Sequence, residues 1–129
     1  WAGGASDPLM AWCTDTTNAV TTNTGIGDGA ENTTAMLTNA SPFAACTSGA
    51  GYSARAYHGG GLTDWYLPSR DDLDQMYLTQ ATIGGIGGAY WSSSQDDSAT
   101  NAWKVGMAAD QHFSNLKGDT GRVRPIRAF

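Results

Sequence analysis

The sequence predicts a mixed α+β domain, rich in loops, with two helices packed on a small, twisted antiparallel sheet. Helix-start signals occur near residues 28 and 69, and polar and apolar residues alternate through 102–108 and 122–127. Seventeen glycines, five tryptophans and five tyrosines indicate a core of a few large aromatic side chains joined by many turns. The 129 residues are enough for a single domain, 1–129, with one core.

The first predicted helix covers residues 29–39 and follows a segment, 1–28, in which we expect one or two short strands within long loops. Asp28 is a suitable N-cap, and Glu31 stands three residues later, as in a capping box. Pro42 then interrupts the helical pattern. We expect this helix to pack on the sheet through apolar residues, namely Ala35, Met36 and Leu37.

The two cysteines, Cys13 and Cys46, predict a disulfide. A composition rich in Thr, Ser, Asn and Gly with few Lys and Glu is typical of extracellular proteins, which favours a disulfide over two buried thiols. Neither cysteine has a nearby Cys or His partner, so we expect no metal site. Cys46 itself falls in a short second helical turn, which is predicted to begin at Phe43 and to end at Gly49.

The second main helix is predicted from Ser69 to about Gln80, after a strand at 64–69. Ser69 is a natural N-cap, and Asp72 stands three residues later. Apolar residues then recur at helical spacing, at Leu73, Met76 and Tyr77. The carboxylates of the first turn lack the spacing of a calcium loop, so we expect them to be solvated and to complement the helix dipole: Asp71, Asp72 and Asp74.

The remaining elements are predicted strands. The glycine-rich stretch at 84–88 lacks the Lys-Ser/Thr ending of a phosphate loop and is interpreted as a turn, and 90–93 as a buried strand. In the next strand the predicted core residues are Trp103, Val105 and Met107, and the predicted solvent-facing residues are Lys104, Gly106 and Ala108. Pro125 implies that the strand at 122–127 is an edge strand or is bulged.

Several functional classes are disfavoured by the sequence. The net charge of −5 argues against a nucleic-acid partner, and no apolar run is long enough to insert in a membrane. His58 and His112 have no recognisable nucleophile setting, and the serines at 92–94 are expected to bond to backbone. We therefore expect no enzyme activity, no cofactor and no catalytic metal. Because the chain starts at Trp1, we expect it to be part of a longer or processed protein.

The basic residues of the last quarter allow two interpretations. They could form a patch for sulfated or carboxylated glycans, or they could be structural residues tied into the sheet, which we favour. The residues concerned are Lys104, Lys117, Arg122, Arg124 and Arg127. Acidic residues in the same quarter could pair with them, namely Asp96, Asp97, Asp110 and Asp119.

A set of ordered motifs resembles a known family. They are Asp-Trp-Tyr-Leu-Pro-Ser-Arg-Asp-Asp-Leu at 64–73, Ala-Thr-Ile-Gly-Gly at 81–85, Tyr-Trp-Ser-Ser-Ser at 90–94, Asn-Ala-Trp at 101–103 and Arg-Val-Arg-Pro-Ile-Arg at 122–127. Together they resemble the C-terminal domain of Legionella collagen-like adhesins. The resemblance covers about residues 60–129 and implies a fold like those of C-type lectins and the formylglycine-generating enzyme. The calcium-lectin sugar-binding signatures are absent.

Within that family the sequence is most similar to the variable proteins of diversity-generating retroelements. Their template-encoded segment typically runs from Tyr-Trp-Ser-Ser-Ser through Ala-Trp to Arg-Val-Arg-Pro and Arg-x-Phe, which places the variable region at about 90–129 here. Lys104 and Gln111 depart from the pattern, because changing only the adenines of an Asn codon ending in a pyrimidine cannot produce them. The resemblance implies variable ligand-binding residues at Asp96, Asp97, Thr100, Lys104, Gly106, Ala108, Ala109, Gln111, Phe113, Ser114, Asn115, Leu116, Gly118, Asp119 and Gly121.

The resemblance implies a ligand-binding display protein, without turnover, on a cell or virion surface. Phe113 and Leu116 would be apolar anchors, and the partner would be a protein or glycan on the surface of another cell or virus. The alternative is a fixed-specificity adhesin for sulfated glycans. An enzyme of the formylglycine-generating type would need reactive cysteines near the C-terminal part of the domain, far from Cys13 and Cys46.

Overall fold

A five-stranded mixed sheet forms the centre of the protein in a computed structural model that describes residues 7–128. The strands are β1 (Leu9–Met10), β2 (Ala89–Gln95), β3 (Asn101–Gly106), β4 (Gln111–Leu116) and β5 (Gly121–Arg122), in the spatial order β1-β5-β2-β3-β4. The α+β class is confirmed. A purely antiparallel sheet is wrong, because β5 re-enters the sheet parallel to β2, while the other neighbours are antiparallel. Phe129 and the first six residues of the predicted 1–28 segment lie outside the described residues.

The helices are α1 (Gly29–Met36), α2 (Ala50–Ala56), α3 (Arg70–Leu78) and α4 (Gln80–Ile83), with a 3-10 turn at Gly59–Gly61. Both main predicted helices are confirmed, although α1 ends three residues before the predicted limit at residue 39. The predicted helical turn from Phe43 to Gly49 is wrong. Ala40 and Phe43 instead exchange two backbone hydrogen bonds at 3.0 Å, and a helix begins where that turn was expected to end.

Two predicted capping boxes have different outcomes. In α3, Ser69 Oγ accepts the Asp72 N–H at 3.1 Å, and the Asp72 carboxylate accepts the Ser69 N–H at 3.0 Å, so this box is confirmed. The box at α1 is wrong, because the Asp28 carboxylate accepts the Gly25 N–H at 2.9 Å and closes the turn before the helix. Glu31 is exposed.

The three carboxylates at the start of α3 are not uniformly solvated, which corrects the prediction. Asp72 is buried and, besides its capping bond, accepts the Gly27 N–H at 2.9 Å, so it ties α3 to the loop before α1. Asp74 lies 2.7 Å from His112 of β4. Only Asp71 has the expected surface character, beside Arg70 at 3.4 Å.

The core lies on both faces of β2. Successive side chains of a strand point to opposite faces, and Tyr90 and Trp91 are both fully buried. Trp91 belongs to the larger cluster, which includes Trp12, Met36, Phe43, Leu67 and Val123. Tyr90 belongs to a second cluster, which includes Leu73, Met76, Val105 and Met107. Helices α1 and α2 contribute residues to the larger cluster, and α3 contributes residues to the second. β2 is therefore the buried layer between the two clusters.

A disulfide joins Cys13 to Cys46 across loops, with 5.1 Å between the Cα atoms, as predicted. Both cysteines are buried within the larger cluster. In the described part of the 1–28 segment, β1 is the one strand, which agrees with the prediction of short strands in long loops. Within residues 7–128, no helix has the length and hydrophobicity required to cross a membrane.

The closing segment is less regular than predicted. β5 has two residues and lies between β1 and β2, so the edge position, one of the two predicted alternatives, is wrong. Beyond it, Ile126 and Tyr66 exchange backbone hydrogen bonds at 2.8 and 2.9 Å, and the predicted strand at 64–69 is reduced to this bridge. Pro125, which has no N–H, lies just before that bridge.

The structural role of two closing arginines is confirmed, but their predicted partners are wrong. Arg124 Nη2 donates to the buried Asp7 carboxylate at 2.9 Å, and Arg127 forms a two-point pair with Asp64, both contacts at 2.8 Å. These aspartates lie far away in the sequence rather than in the last quarter, because the closing segment runs back beside the start of the chain and the 64–66 region.

Reduction of the disulfide is expected to destabilise the protein. The bond closes a loop across a sequence separation of 33 residues, and a loop of that size corresponds to about 3–4 kcal/mol of unfolding free energy. Urea denaturation with and without reductant measures the difference. The Cys13→Ala/Cys46→Ala double variant is the control, because reductant should leave its midpoint unchanged. A wild-type midpoint that reductant does not move would contradict the prediction.

Candidate functional site

β4 is an edge strand, because among the described strands only β3 pairs with it. Five of its six residues are exposed, and Asn115 is half-buried. The strand has neither proline nor lysine, which commonly protect sheet edges from further pairing. The predicted variable region therefore contains a strand with an open edge, which the sequence did not predict because no apolar alternation marks it.

The predicted surface is divided between the two faces of β4. Residues directly opposite each other in an antiparallel pair lie on the same face. Phe113 is opposite Lys104, whereas Ser114 is opposite Trp103, and Leu116 lies on the Ser114 side. The two predicted apolar anchors, Phe113 and Leu116, are exposed but point to opposite faces, so the structure does not bring them together.

Polar residues on the Ser114 side form a network with the β2–β3 turn. Ser114 Oγ donates to the Asp96 carboxylate, and Asn101 Nδ2 donates to Ser114 Oγ at 3.1 Å. Thr100 Oγ1 donates to Asn101 Oδ1 at 2.7 Å. Three predicted site residues, Asp96, Thr100 and Ser114, are thus brought together, with Asn101 as a residue that the prediction had assigned to the fixed frame.

A cavity of about 280 Å³ lies at the end of β4. It brings together four predicted site residues, Thr100, Leu116, Gly118 and Asp119, with three that the prediction did not include, Thr16, Thr17 and Lys117. Thr16 and Thr17 come from the N-terminal loop, and no local sequence signal places them here. Hydroxyl, carboxylate and aliphatic groups around one concave space can contact a small polar group or a side chain of a ligand.

The other predicted positions lie outside these two groups. Asp97 is exposed in the β2–β3 turn, and Ala108 and Ala109 are exposed in the β3–β4 turn. Gln111 is exposed at the start of β4, on the Phe113 face. Gly106 is half-buried on that same face, where an added Cβ would stand 2.9 Å from the Phe113 ring. Of these positions, Gly106 and Gln111 share the face of Phe113 and do not line the cavity.

Lys104 and Gly121 are buried, which corrects their assignment to the exposed surface. Lys104 Nζ donates to the Thr120 carbonyl at 2.6 Å and lies 4.6 Å from the centre of the Trp91 ring. Burial lowers the pKa of Lys104. A Cβ on Gly121 would stand 2.7 Å from Lys104 Cε and 2.9 Å from the Trp91 ring. The predicted solvent face of β3 is covered because the chain returns over it after β4.

Lys117, the residue after β4, is also fully buried. Its ammonium donates to the Asn18 carbonyl at 2.9 Å and to Gln95 Oε1 at 2.8 Å, and it lies 4.8 Å from the centre of the Trp12 ring. Burial lowers its pKa from 10.5 to about 8, partly opposed by the charge of Asp15. This lysine therefore fixes the N-terminal loop to the end of β4 and does not contribute to an exposed basic patch.

A second concave region is an apolar groove of about 540 Å³, to which none of the predicted ligand-binding residues contributes. Its aromatic and aliphatic wall includes Tyr57, Leu62, Trp65, Met76 and Ile126. Trp65 is held against Tyr57, with ring centroids 4.9 Å apart. The prediction did not identify this groove, whose wall combines side chains from distant parts of the chain.

The hydroxyls of the serine cluster are engaged in structural bonds. Ser92 Oγ donates to the Trp103 carbonyl at 2.7 Å, and Ser94 Oγ donates to the Asn23 carbonyl at 2.8 Å. Ser93 Oγ accepts from Asn32 Nδ2 at 3.2 Å. All three serines are fully buried. The predicted bonds to backbone are confirmed for Ser92 and Ser94, whereas the Ser93 hydroxyl bonds to a side chain. His58 is exposed in a separate loop.

No protein-family model matches the chain, and no curated protein is significantly similar to it.

The buried charge of Lys117 predicts a specific pH dependence of stability. Its folded-state pKa of about 8 lies below its ordinary value of 10.5. Between these values the unfolded chain binds more protons at this residue, so its contribution to the free energy of unfolding rises with pH and levels off above about 10.5. Urea denaturation of the wild type and of Lys117→Met at pH 7.5, 8.5 and 9.5 measures this contribution to the free energy of unfolding.

The comparison between the two proteins removes contributions from other titrating groups, such as Tyr90, whose pKa burial raises to about 12. The wild type should gain stability relative to Lys117→Met as the pH rises. Parallel profiles would mean that the Lys117 ammonium is not desolvated in the folded protein.

Proposed function

We propose that this protein binds ligands through a diversified surface around β4, and that retroelement-driven adenine mutagenesis produces the diversity. The proposal includes a C-type-lectin-like fold and display on the surface of a cell or virion. The ligand would be a protein or glycan on another cell or virus, and no turnover is involved.

One observation carries this proposal: the motif residues at 90–94 are all buried, whereas the predicted variable residues of β4 are mostly exposed. Among the motif residues, Tyr90, Trp91, Ala102 and Val123 are fully buried. Phe113 and Leu116, by contrast, are 41% and 55% exposed on an edge strand. Substitution at exposed edge positions removes little packing, so many sequences can occupy one scaffold. Burial of Lys104 and Gly121 restricts the variable set to the remaining positions.

The glycan-adhesin alternative has less support, because four of the basic side chains already have hydrogen-bond or ion-pair partners within the protein. Arg124 and Arg127 pair with aspartates, and Lys104 and Lys117 are buried with carbonyl partners. A sulfated glycan would have to displace these partners to reach the charges. The net charge of −5 would further oppose association with a polyanion.

Sequencing the DNA that flanks the gene tests the retroelement directly. We expect a near-copy of the segment encoding residues 90–129, with differences confined to adenines, beside a reverse-transcriptase gene. The copy would identify the diversified positions codon by codon, and we expect them to exclude the codon for Gly121. A complete locus without such a copy would contradict the proposed source of diversity.

Tolerance of substitution in β4 tests the scaffold. Phe113→Ala should change the free energy of unfolding by about 0.5 kcal/mol or less, as for exposed residues. The matched control Val105→Ala, in the neighbouring strand, should cost about 2 kcal/mol because it leaves a cavity in the core. Urea denaturation gives both values. Equal losses would mean that β4 is part of the core and unsuited to diversification.

Heparin affinity separates the two functional hypotheses. Because the basic groups are engaged, we expect the protein to pass through a heparin column at low ionic strength, together with an acidic protein of similar size. Retention at low salt that is lost on addition of sodium chloride would contradict this prediction and would favour the adhesin.

A further inference from the structure

Three potential metal ligands meet beside the start of β4. They are Asp74 from α3, Asp110 from the β3–β4 turn and His112 from β4. His112 Nε2 lies 2.7 Å from Asp74 Oδ1, and one ligand atom from each of the three residues lies within 4.8 Å of the others. Donors on one Zn²⁺ ion lie about 2.0–2.2 Å from it, hence at most roughly 4.4 Å apart, so small side-chain rotations would suffice.

The fold holds these residues in place from three separate elements. His112 is opposite Val105 in the strand pairing, so it shares the face on which α3 packs, and its ring meets Trp103 edge-on with centroids 6.2 Å apart. Asp110 has a φ of +45°, a conformation that Asp and Asn adopt more readily than most residues. The carboxylate of Asp110 lies near Asp74, on the side of β4 on which α3 packs.

The electrostatics of the cluster favour a cation. The carboxylates of Asp74 and Asp110 lie close to each other, so their negative charges repel. A divalent ion would neutralise both carboxylates at once. The side chains of Asp74 and His112 retain 23% and 33% of their exposure, so solvent can reach the cluster.

We propose that Asp74, Asp110 and His112 bind a divalent transition-metal ion such as Zn²⁺. One imidazole and two carboxylates are ligands that zinc accepts, whereas Ca²⁺ and Mg²⁺ prefer oxygen ligands alone. Three protein ligands leave a coordination position for water or for a nitrogen or oxygen donor of a bound ligand. The site does not depend on the proposed function, although it borders the exposed residues of β4.

Calorimetric titration of the protein with zinc chloride at pH 7.5, in a buffer that does not chelate metals, tests the proposal. We expect saturable binding of one ion. Asp110→Asn and His112→Ala should each weaken binding by at least about tenfold, because loss of even an outer-shell partner typically costs about 10–100-fold. His58→Ala, which removes the other histidine, is the matched control and should bind as the wild type does.

Asp110→Asn is the decisive variant. It keeps the shape of the side chain, suits the positive φ at this position and leaves the pair between His112 and Asp74 intact. It therefore decides the question even if His112→Ala does not fold, as judged by circular dichroism. The proposal is overturned if zinc binding is absent, if Asp110→Asn binds zinc as the wild type does, or if calcium binds more tightly than zinc.

Discussion

The burial of β2 on both faces is the constraint on which the rest of the structure depends. Tyr90 and Trp91 are neighbours in the chain but belong to two different clusters. Each also fixes the N-terminal segment, since the Trp91 indole donates to the Met10 carbonyl at 2.8 Å and the Tyr90 hydroxyl bonds to Asp7. The Asp7 carboxylate also accepts a hydrogen bond from Arg124. Through Tyr90 and Asp7, β2 is therefore linked to both the N-terminal and the C-terminal segments of the described chain.

The same constraint explains where the charges are. The returning chain after β4 covers the face of β3 that carries Lys104, and it buries Lys117 against the N-terminal loop. Each ammonium has carbonyl or amide partners and lies over a tryptophan ring, which offsets part of the cost of burial. Two of the seven basic residues thereby become part of the interior.

Local signals in the sequence were sufficient for the elements that local chemistry determines. The Ser69–Asp72 box, the buried strand β2 and the cysteine pair are all found as predicted. Alternation around Lys104 failed for a physical reason. The alternation of residues shows which side chains share a face of the strand, but it does not show whether a distant segment covers that face. The arginine partners were missed for the same reason, because nothing local connects Arg127 to Asp64.

β4 combines an open edge with two unlike faces, which limits how a ligand can contact it. On one face Phe113 stands among small or polar neighbours. On the other face Ser114 joins a polar network that shares Thr100 with the cavity near Leu116. A flat ligand surface can cover one of these faces, but it cannot contact Phe113 and Leu116 together. Variation confined to one face would therefore alter one set of contacts while the other face, and the core beneath β3, stayed unchanged.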